Sequence, residues 1–125
     1  MEKVLLVGAG GFVGSVARYL MSGGAHRLMP AAEFPVGTLS VNLLGCFLIG
    51  LIAGVAESRS LFSPELRTLL LIGVLGGFTT FSTFAYETLA LASDGEMVKA
   101  AGNVILQVVG CLIAAGAGMM VARSW

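Results

Sequence analysis

Four long apolar stretches constrain the fold of this chain more than any other feature of its sequence. Residues 35–56, 68–86 and 100–122 contain no Asp, Glu, Lys or Arg, and residues 4–25 contain only Arg18. Each stretch has about 18 residues or more, the length at which an apolar α-helix can cross the hydrocarbon core of a bilayer. The chain is therefore expected to be an integral membrane protein built from helices.

The composition leaves no room for a soluble domain. Of the 125 residues, 11% are charged, whereas soluble domains carry about 25%, and the mean hydropathy is +0.95. The first stretch lacks a clear small-residue cleavage site, so we expect it to be retained as a span and not removed as a signal peptide. We predict one all-α transmembrane domain over residues 1–125, with spans at about residues 3–21, 36–56, 67–91 and 98–122.

The centre of the third stretch is unlike an ordinary membrane span. Residues 76–84 read Gly-Gly-Phe-Thr-Thr-Phe-Ser-Thr-Phe, so a glycine pair precedes a mixture of hydroxyl and aromatic side chains. A glycine pair loosens a helix, and broken backbone persists in lipid only where protein, a cavity or an ion satisfies its polar groups. We therefore predict a break in the third helix at Gly76 and Gly77, with an ion pathway or ion site beside it.

Polar residues of the neighbouring spans fall on single helix faces. Thr38 and Asn42 are four residues apart in the second span, and Asn103, Gln107 and Cys111 continue that spacing in the fourth. Uncharged amides and hydroxyls suit an ion that must lose part of its water and still be released. Amide hydrogens and the positive edges of aromatic rings favour an anion. Such side chains also bond across helices without any further function, and that alternative stays open for Thr38.

Glycines spaced four residues apart predict close contacts between helices, because small residues let two backbones approach. The pairs are Gly10 and Gly14, Gly50 and Gly54, and Gly73 and Gly77. A nucleotide-binding interpretation of the Gly-rich segment 8–14 fails, since no alternation of strands and helices follows it. Cys46 and Cys111 lie inside spans, and we expect them to be small packing residues and not a disulfide.

Local signals place the ends of the third helix. Ser63 is a suitable N-cap and Pro64 a suitable first residue, so the helix is expected to begin near Pro64. The Ser-Asp-Gly turn at residues 93–95 is short, so the fourth helix must return beside the third. Residues 22–35 are predicted to form a loop in which His26 is solvated.

Basic residues are nearly balanced across the predicted membrane. The side with the termini carries Lys3, Arg59, Arg67 and Arg123, and the other side carries Arg27 and Lys99, with Arg18 near it. The positive-inside rule needs an excess on one side, so insertion in both orientations and head-to-tail pairing are expected. A modest preference for termini inside the cell is the alternative.

Two ionisable side chains lie near the ends of spans, where charge is functional by default. Arg18 is expected either to draw anions into a vestibule or to anchor the first helix at the interface. Glu87 is expected to be a structural partner for a hydroxyl or an Arg.

Three segments together resemble the fluoride-specific ion channel family (CrcB/Fluc). They are Arg18-Tyr19 after a Gly-rich first helix, segment 34–42 (Phe-Pro-Val-Gly-Thr-Leu-Ser-Val-Asn) entering the second, and segment 76–84 of the third. The resemblance covers essentially the whole chain. It implies a passive fluoride channel that exports fluoride and lowers its cytoplasmic concentration, as a multi-pass protein of a bacterial inner membrane.

The resemblance also implies an assembly and a set of site residues. The protein would be an antiparallel, dual-topology homodimer with two pores, each lined by both subunits. Backbone carbonyls of Gly76 and Thr79 from both subunits would hold a structural sodium ion that is not transported, and Arg18 would lie in an aqueous vestibule. The fluoride pore would involve Asn42, Phe81, Phe84, Thr38, Thr80, Ser82 and Thr83, together with Asn103, Gln107 and Cys111 on the fourth helix, whose polar residues vary in this family.

Two other membrane functions are compatible with four short spans. A proton-coupled small multidrug exporter needs a membrane-embedded carboxylate in its first helix, and here that helix has no acidic residue after Glu2. An assembly subunit held together by its glycine faces does not account for a break in the third helix. No pattern of nucleophile and base or of metal ligands indicates an enzyme, and no nucleic-acid partner is expected.

Overall fold

The computed structural model describes residues 1–59 and 62–124, with the backbone alone at residues 58 and 59. This described part is helical and contains no β-strand. Four helical units are long and apolar enough to cross a membrane, at Glu2–Leu28, Val36–Glu57, Pro64–Ser93 and Met97–Ser124. The predicted all-α class and the four spans are confirmed.

The third span is composite, whereas the other three are single helices. It consists of two short helices, a π-helical segment and one longer helix. In chain order the elements are α1 (Glu2–Leu28), α2 (Val36–Arg59), α3 (Pro64–Arg67), the π segment (Thr68–Val74), α4 (Leu75–Phe78), α5 (Phe81–Ser93) and α6 (Met97–Ser124).

The first helix is longer than predicted. Its predicted end is at residue 21, but α1 continues to Leu28, so His26 lies in its last turn and not in a loop. Met29, the residue after the helix, has φ −129° and ψ 61° and is not helical. The reason is Pro30, because a proline disfavours the helical conformation of the residue before it. The other spans exceed their predicted bounds by up to three residues at an end.

The third span begins at a capped turn and then changes its hydrogen-bond pattern. The Ser63 hydroxyl accepts a hydrogen bond from Leu66 N at 3.2 Å, and Pro64 is the first helical residue, as predicted. The π segment that follows has i→i+5 bonds, which rotate the later side chains relative to a regular helix. Apart from Thr68, its sequence is an apolar run without a proline, so it carries no local signal that predicts a π-helix.

Glycines bring α1 against the third span. A Cβ atom built on Gly14 would lie 2.0 Å from the carbonyl oxygen of Val74, and one built on Gly77 would lie 2.6 Å from that of Gly11. A Cβ atom on Gly10 would lie within 2.9 Å of Gly73 Cα and Val74 N. These separations leave room for hydrogen only, which confirms the predicted packing role of the two glycine pairs.

The second and sixth helices lie side by side in a constant register. A Cβ atom built on Gly50 would lie 2.1 Å from the carbonyl oxygen of Ala115. The residue numbers of facing pairs increase together along both helices, so α2 and α6 are parallel. The facing pairs are Asn42 and Gln107, Gly50 and Ala115, and Gly54 and Met119.

At one end of the bundle, a tight turn and an ion pair hold the connections between helices. The predicted turn at residues 93–95 is present. Gly95 has a φ of 81°, a backbone conformation that residues other than glycine rarely adopt. Lys99 Nζ lies 2.5 Å from Glu33 Oε2 and so joins the α1–α2 connection to the start of α6. The hydrogen bond from Lys99 lowers the pKa of the Glu33 carboxyl. This tie is therefore present at neutral pH and is lost as the pH falls through the pKa of Glu33.

Candidate functional site

Two extended residues break the third span. Thr79 has φ −79° and ψ 157°, and Thr80 has φ −150° and ψ 116°, so the chain is not helical between α4 and α5. The predicted break exists, but its predicted position is wrong, because Gly76 and Gly77 are helical residues of α4. Gly77 serves the contact with α1 instead, and the break falls where a threonine can cap a new helix.

The amide of Asn42 holds the broken backbone. Its Oδ1 accepts from Thr80 N at 2.9 Å, and its Nδ2 donates to Thr80 O at 3.0 Å. The same Nδ2 also donates to Gln107 Oε1 at 3.0 Å. All three side chains are buried. Because Nδ2 has two hydrogens, both are used within the chain, and an anion would have to take one of them over.

Hydroxyl groups gather at the start of α5. The Thr80 hydroxyl caps this helix by accepting from Thr83 N at 3.3 Å. It also donates to the Thr83 hydroxyl at 3.0 Å and lies 3.3 Å from the Ser82 hydroxyl. The three hydroxyl residues predicted for this segment therefore form one hydrogen-bonded cluster.

Two backbone carbonyls at the break lack the donors that a continuous helix would provide. In a continuous helix, the carbonyl of Gly76 would accept a hydrogen bond from Thr80 N, and the carbonyl of Thr79 would accept one from Thr83 N. Thr80 N donates to Asn42 instead, and Thr83 N donates to the Thr80 hydroxyl. Gly76 is exposed, and the nearest atom to a Cβ built on it is 3.9 Å away. These neutral oxygens fit the ligand type of a hard monovalent cation.

A cavity of about 600 Å³, which we name the vestibule, opens beside the break. Arg18 is half-buried in its wall. Cationic side chains give the vestibule a positive potential, which raises the local concentration of anions. Its lining includes Arg18, His26, Arg27, Thr38, Thr80 and Thr83.

A second cavity of about 380 Å³, which we name the groove, also borders the break. Its aromatic wall is the pair Phe81 and Phe84, whose ring centres lie 5.2 Å apart in an edge-to-face arrangement. Phe84 is 7% exposed, whereas Phe81 is 76% exposed. Thr80 lines both cavities, so the vestibule and the groove meet at the break. The lining of the groove includes Asn42, Cys46, Phe81, Phe84, Gln107 and Cys111.

The predicted polar stripe of the fourth span lies on the inner face of α6. Asn103 and Gln107 are buried, and Cys111 lines the groove. Asn103 Nδ2 donates to the Thr88 hydroxyl at 2.9 Å, whereas Asn103 Oδ1 and Gln107 Nε2 have no partner in the part of the chain that the structure describes. An unsatisfied buried polar atom costs about 1–3 kcal/mol, so water or an ion is expected at these two atoms.

Thr88 belongs to this polar line, although it was not among the site residues predicted from the sequence. It lies four residues after Phe84, so the two share a face of α5. That spacing was the signal that could have found it. Its hydroxyl donates to the carbonyl of Phe84 at 2.8 Å and accepts from Asn103.

Thr38 and Glu87 form a bond between α2 and α5. The Thr38 hydroxyl donates to Glu87 Oε1 at 2.7 Å, as expected for a glutamate with a structural hydroxyl partner. The other carboxyl oxygen of Glu87, Oε2, is buried and has no partner within the described ranges. Thr38 therefore faces the vestibule while its hydroxyl proton is already engaged.

The site joins a positive vestibule to an uncharged, partly aromatic groove through a cluster of hydroxyls and amides. Within residues 1–59 and 62–124, no group of three or more His, Cys, Asp or Glu side chains could hold a metal ion. The donors at the break are instead backbone carbonyls and neutral side chains. Such a set can replace part of the water around an ion without holding the ion tightly.

The sequence of this chain matches one family model and several known proteins over nearly its whole length. Residues 5–119 match the model of the family described as CrcB-like protein, Camphor Resistance (CrcB). The fluoride-specific ion channel FluC of Geobacter sulfurreducens is 53% identical over 123 residues, which cover 98% of each chain. FluC of Chlorobaculum tepidum is 50% identical over 125 residues, which cover 100% of this chain and 98% of that one. FluC of Chlorobium phaeobacteroides is 48% identical over 124 residues, which cover 98% and 94%.

Proposed function

The chain belongs to the CrcB family, and we propose from this premise that it is a passive, fluoride-selective channel of the cell membrane. It lets fluoride leave the cell and so lowers the cytoplasmic fluoride concentration. The observation that carries the proposal is the meeting of the vestibule and the groove at Thr80. Relatives that share about half of the residues over nearly the whole chain are named fluoride-specific ion channels.

The proposed path begins at the positive vestibule and ends at the aromatic groove. Arg18 attracts the anion, and the hydroxyls of Thr83 and Thr80 replace part of its water. Gln107 Nε2, which has no partner in the described part of the chain, then offers a free amide hydrogen within the groove. The positive edges of Phe81 and Phe84 complete the path.

Neutral donors suit fluoride for a physical reason. Fluoride is the smallest halide and holds its water most tightly, so its passage requires many hydrogen-bond donors close together. A fixed positive charge inside the groove would bind the anion too strongly for release. In the part of the chain that the structure describes, the lining of the groove contains no Lys, Arg or His, whereas Arg18 and Arg27 line the vestibule.

The channel is further proposed to be an antiparallel homodimer that inserts in both orientations. The ring of Phe81 is 76% exposed beside the groove, which a second copy would cover. Gly76 is exposed near the middle of the third span, where a two-fold axis in the membrane plane would bring two breaks together. The near balance of basic residues permits both orientations.

A structural sodium ion at this axis is part of the proposal. The carbonyls of Gly76 and Thr79 lack their helical donors, and two opposed copies would supply two such sets of oxygens. We expect the dimer to unfold at a lower temperature when sodium is replaced by a large organic cation that carbonyls cannot coordinate. Equal unfolding temperatures in the two buffers, at matched ionic strength, would contradict the sodium site.

The direct test of function is efflux from liposomes that contain the purified protein. Fluoride should leave without a proton gradient or nucleotide, while chloride stays inside. Protein-free liposomes supply the background rate for each ion. A chloride flux comparable to that of fluoride, or a flux that requires an imposed proton gradient, would sink the proposed function.

A further inference from the structure

Cys46 and Cys111 face each other across the parallel helices α2 and α6. The register of these helices pairs Asn42 with Gln107 one turn earlier and Gly50 with Ala115 one turn later. The same offset of 65 residues, which separates Asn42 from Gln107, places Cys46 opposite Cys111. Both cysteines are free, and both line the groove.

The surroundings of this thiol pair determine which ligand it could take. Among the described residues, the lining of the groove contains no His, Asp or Glu, so the two sulfur atoms are the soft ligands that it offers. Zinc requires four ligands in a tetrahedral arrangement, which the groove does not supply. A soft cation that accepts two ligands in a line needs nothing more than two thiolates.

We infer that Cys46 and Cys111 form a two-thiol site for a soft, linearly coordinating divalent metal cation inside the groove. Binding replaces two S–H bonds by two sulfur–metal bonds and releases two protons to water, with no change of oxidation state. The product is neutral, because two thiolate charges balance the divalent ion, and a neutral group suits an apolar groove. A monovalent ion would leave one uncompensated negative charge.

Mercuric ion is the probe that tests the site, because it prefers two sulfur ligands in a line. One equivalent per chain should remove both thiols from a titration under denaturing conditions, and native mass spectrometry should show one metal per chain. The sequence contains two cysteines, so the count is unambiguous. One thiol remaining at one equivalent, or two metals per chain at saturation, would overturn the inference.

Variants separate a bridge within one chain from independent binding. Cys46→Ala and Cys111→Ala should each bind mercury at least about 100-fold more weakly, because two linked ligands gain about that factor or more over one. The matched control combines Cys46→Ala with Leu44→Cys, which keeps two thiols on α2 and α6 but moves one out of register. Bidentate binding by this control, or a metal-dependent dimer band on a non-reducing gel of the parent, would contradict the facing pair.

The consequence for transport rests on the proposed function. One equivalent of mercury should stop fluoride efflux through the parent protein, and the rate of the variant lacking both cysteines should not respond to the metal. Each protein is compared with its own rate before addition. Continued efflux through protein already shown to carry one metal on two thiols would contradict the groove as the fluoride path, while the metal site itself would stand.

Discussion

At the scale of single residues, Asn42 has a larger role than its position on a polar helix face indicated. Its one amide group satisfies both the N–H and the carbonyl of Thr80 and positions Gln107. Broken backbone inside a membrane has no water to bond with, so each of these bonds prevents a desolvation cost. Asn42 thus maintains the break structurally, whatever contact it makes with an ion.

Replacement of Asn42 by Ala should therefore destabilise the fold. The change leaves Thr80 N, Thr80 O and Gln107 Oε1 without their partner, and we expect the free energy of unfolding in detergent to fall by about 2–4 kcal/mol. Ser40→Ala is the matched control, because within residues 1–59 and 62–124 the Ser40 hydroxyl bonds only to the carbonyl of Val36 on its own helix. The two variants having equal stability would show that Asn42 does not hold the break.

The Phe pair gives a second prediction at this scale. Phe81→Ile and Phe84→Ile keep an apolar side chain but remove the positive ring edge, so both should slow fluoride efflux strongly. Their stabilities should differ, since Phe84 is 7% exposed and Phe81 is 76% exposed. Size-exclusion chromatography checks that the variants remain folded. Parent-like efflux from both would assign the rings to packing alone.

At the scale of elements, glycine contacts decide how closely the helices approach. The third span presses Gly77 against Gly11 and Val74 against Gly14, and this contact fixes the height of the break relative to α1. The π segment precedes the break and sets which face of α4 turns toward α1. The contact depends on shape, because Gly11, Gly14 and Gly77 lack the side chains that would keep the backbones apart. The Ser15 hydroxyl adds a hydrogen bond to the carbonyl of Gly77 at 3.5 Å.

The variant Gly14→Ala tests this interface. Its Cβ would lie 2.0 Å from the Val74 carbonyl oxygen, and relief requires a shift of backbone. We expect a loss of about 1–3 kcal/mol in the free energy of unfolding, as for other overpacked sites. Gly8→Ala on the same helix is the control, because no atom of another described element lies within 4 Å of its added Cβ. If Gly14→Ala unfolds like Gly8→Ala, the close approach of α1 is not required.

At the scale of the whole molecule, two surfaces beside the site are left open in a single chain. The groove is open on the side of Phe81, and Gly76 is exposed at the break. The basic residues do not favour one orientation, although Arg59 contributes to that balance with a side chain outside the described residues. A second copy in the opposite orientation remains the proposal that accounts for both open surfaces.

Accessibility of the carboxyl-terminal end of α6 tests this assembly. With Cys46 and Cys111 replaced by Ala, Arg123→Cys introduces one exposed thiol at the last turn of α6. A membrane-impermeant reagent should label it from both faces of the membrane, because half of the copies point each way. Labelling from one face alone would rule out dual topology for this chain.

The amino-acid sequence by itself determined the class, the four spans and the helix contacts. Span number follows from composition, since hydrocarbon admits only long apolar helices whose backbone bonds are internal. The glycine pairs were predicted correctly because a missing side chain is a local property that has the same effect in any close helix contact. Ser63 and Gly95 were predictable for a similar reason, since capping and positive φ are local requirements.

Only the tertiary structure decided where the third span breaks and which polar groups are already engaged. From the chain alone, the break was predicted at Gly76-Gly77, because glycine weakens a helix, but it lies at Thr79-Thr80. The contact of Gly77 with α1 keeps the glycines helical. The amide of Asn42, on α2, bonds to the N–H and the carbonyl of the extended Thr80, which would otherwise lack partners in lipid. Both effects come from residues distant in sequence, whose free energy depends on distance and orientation in the folded bundle.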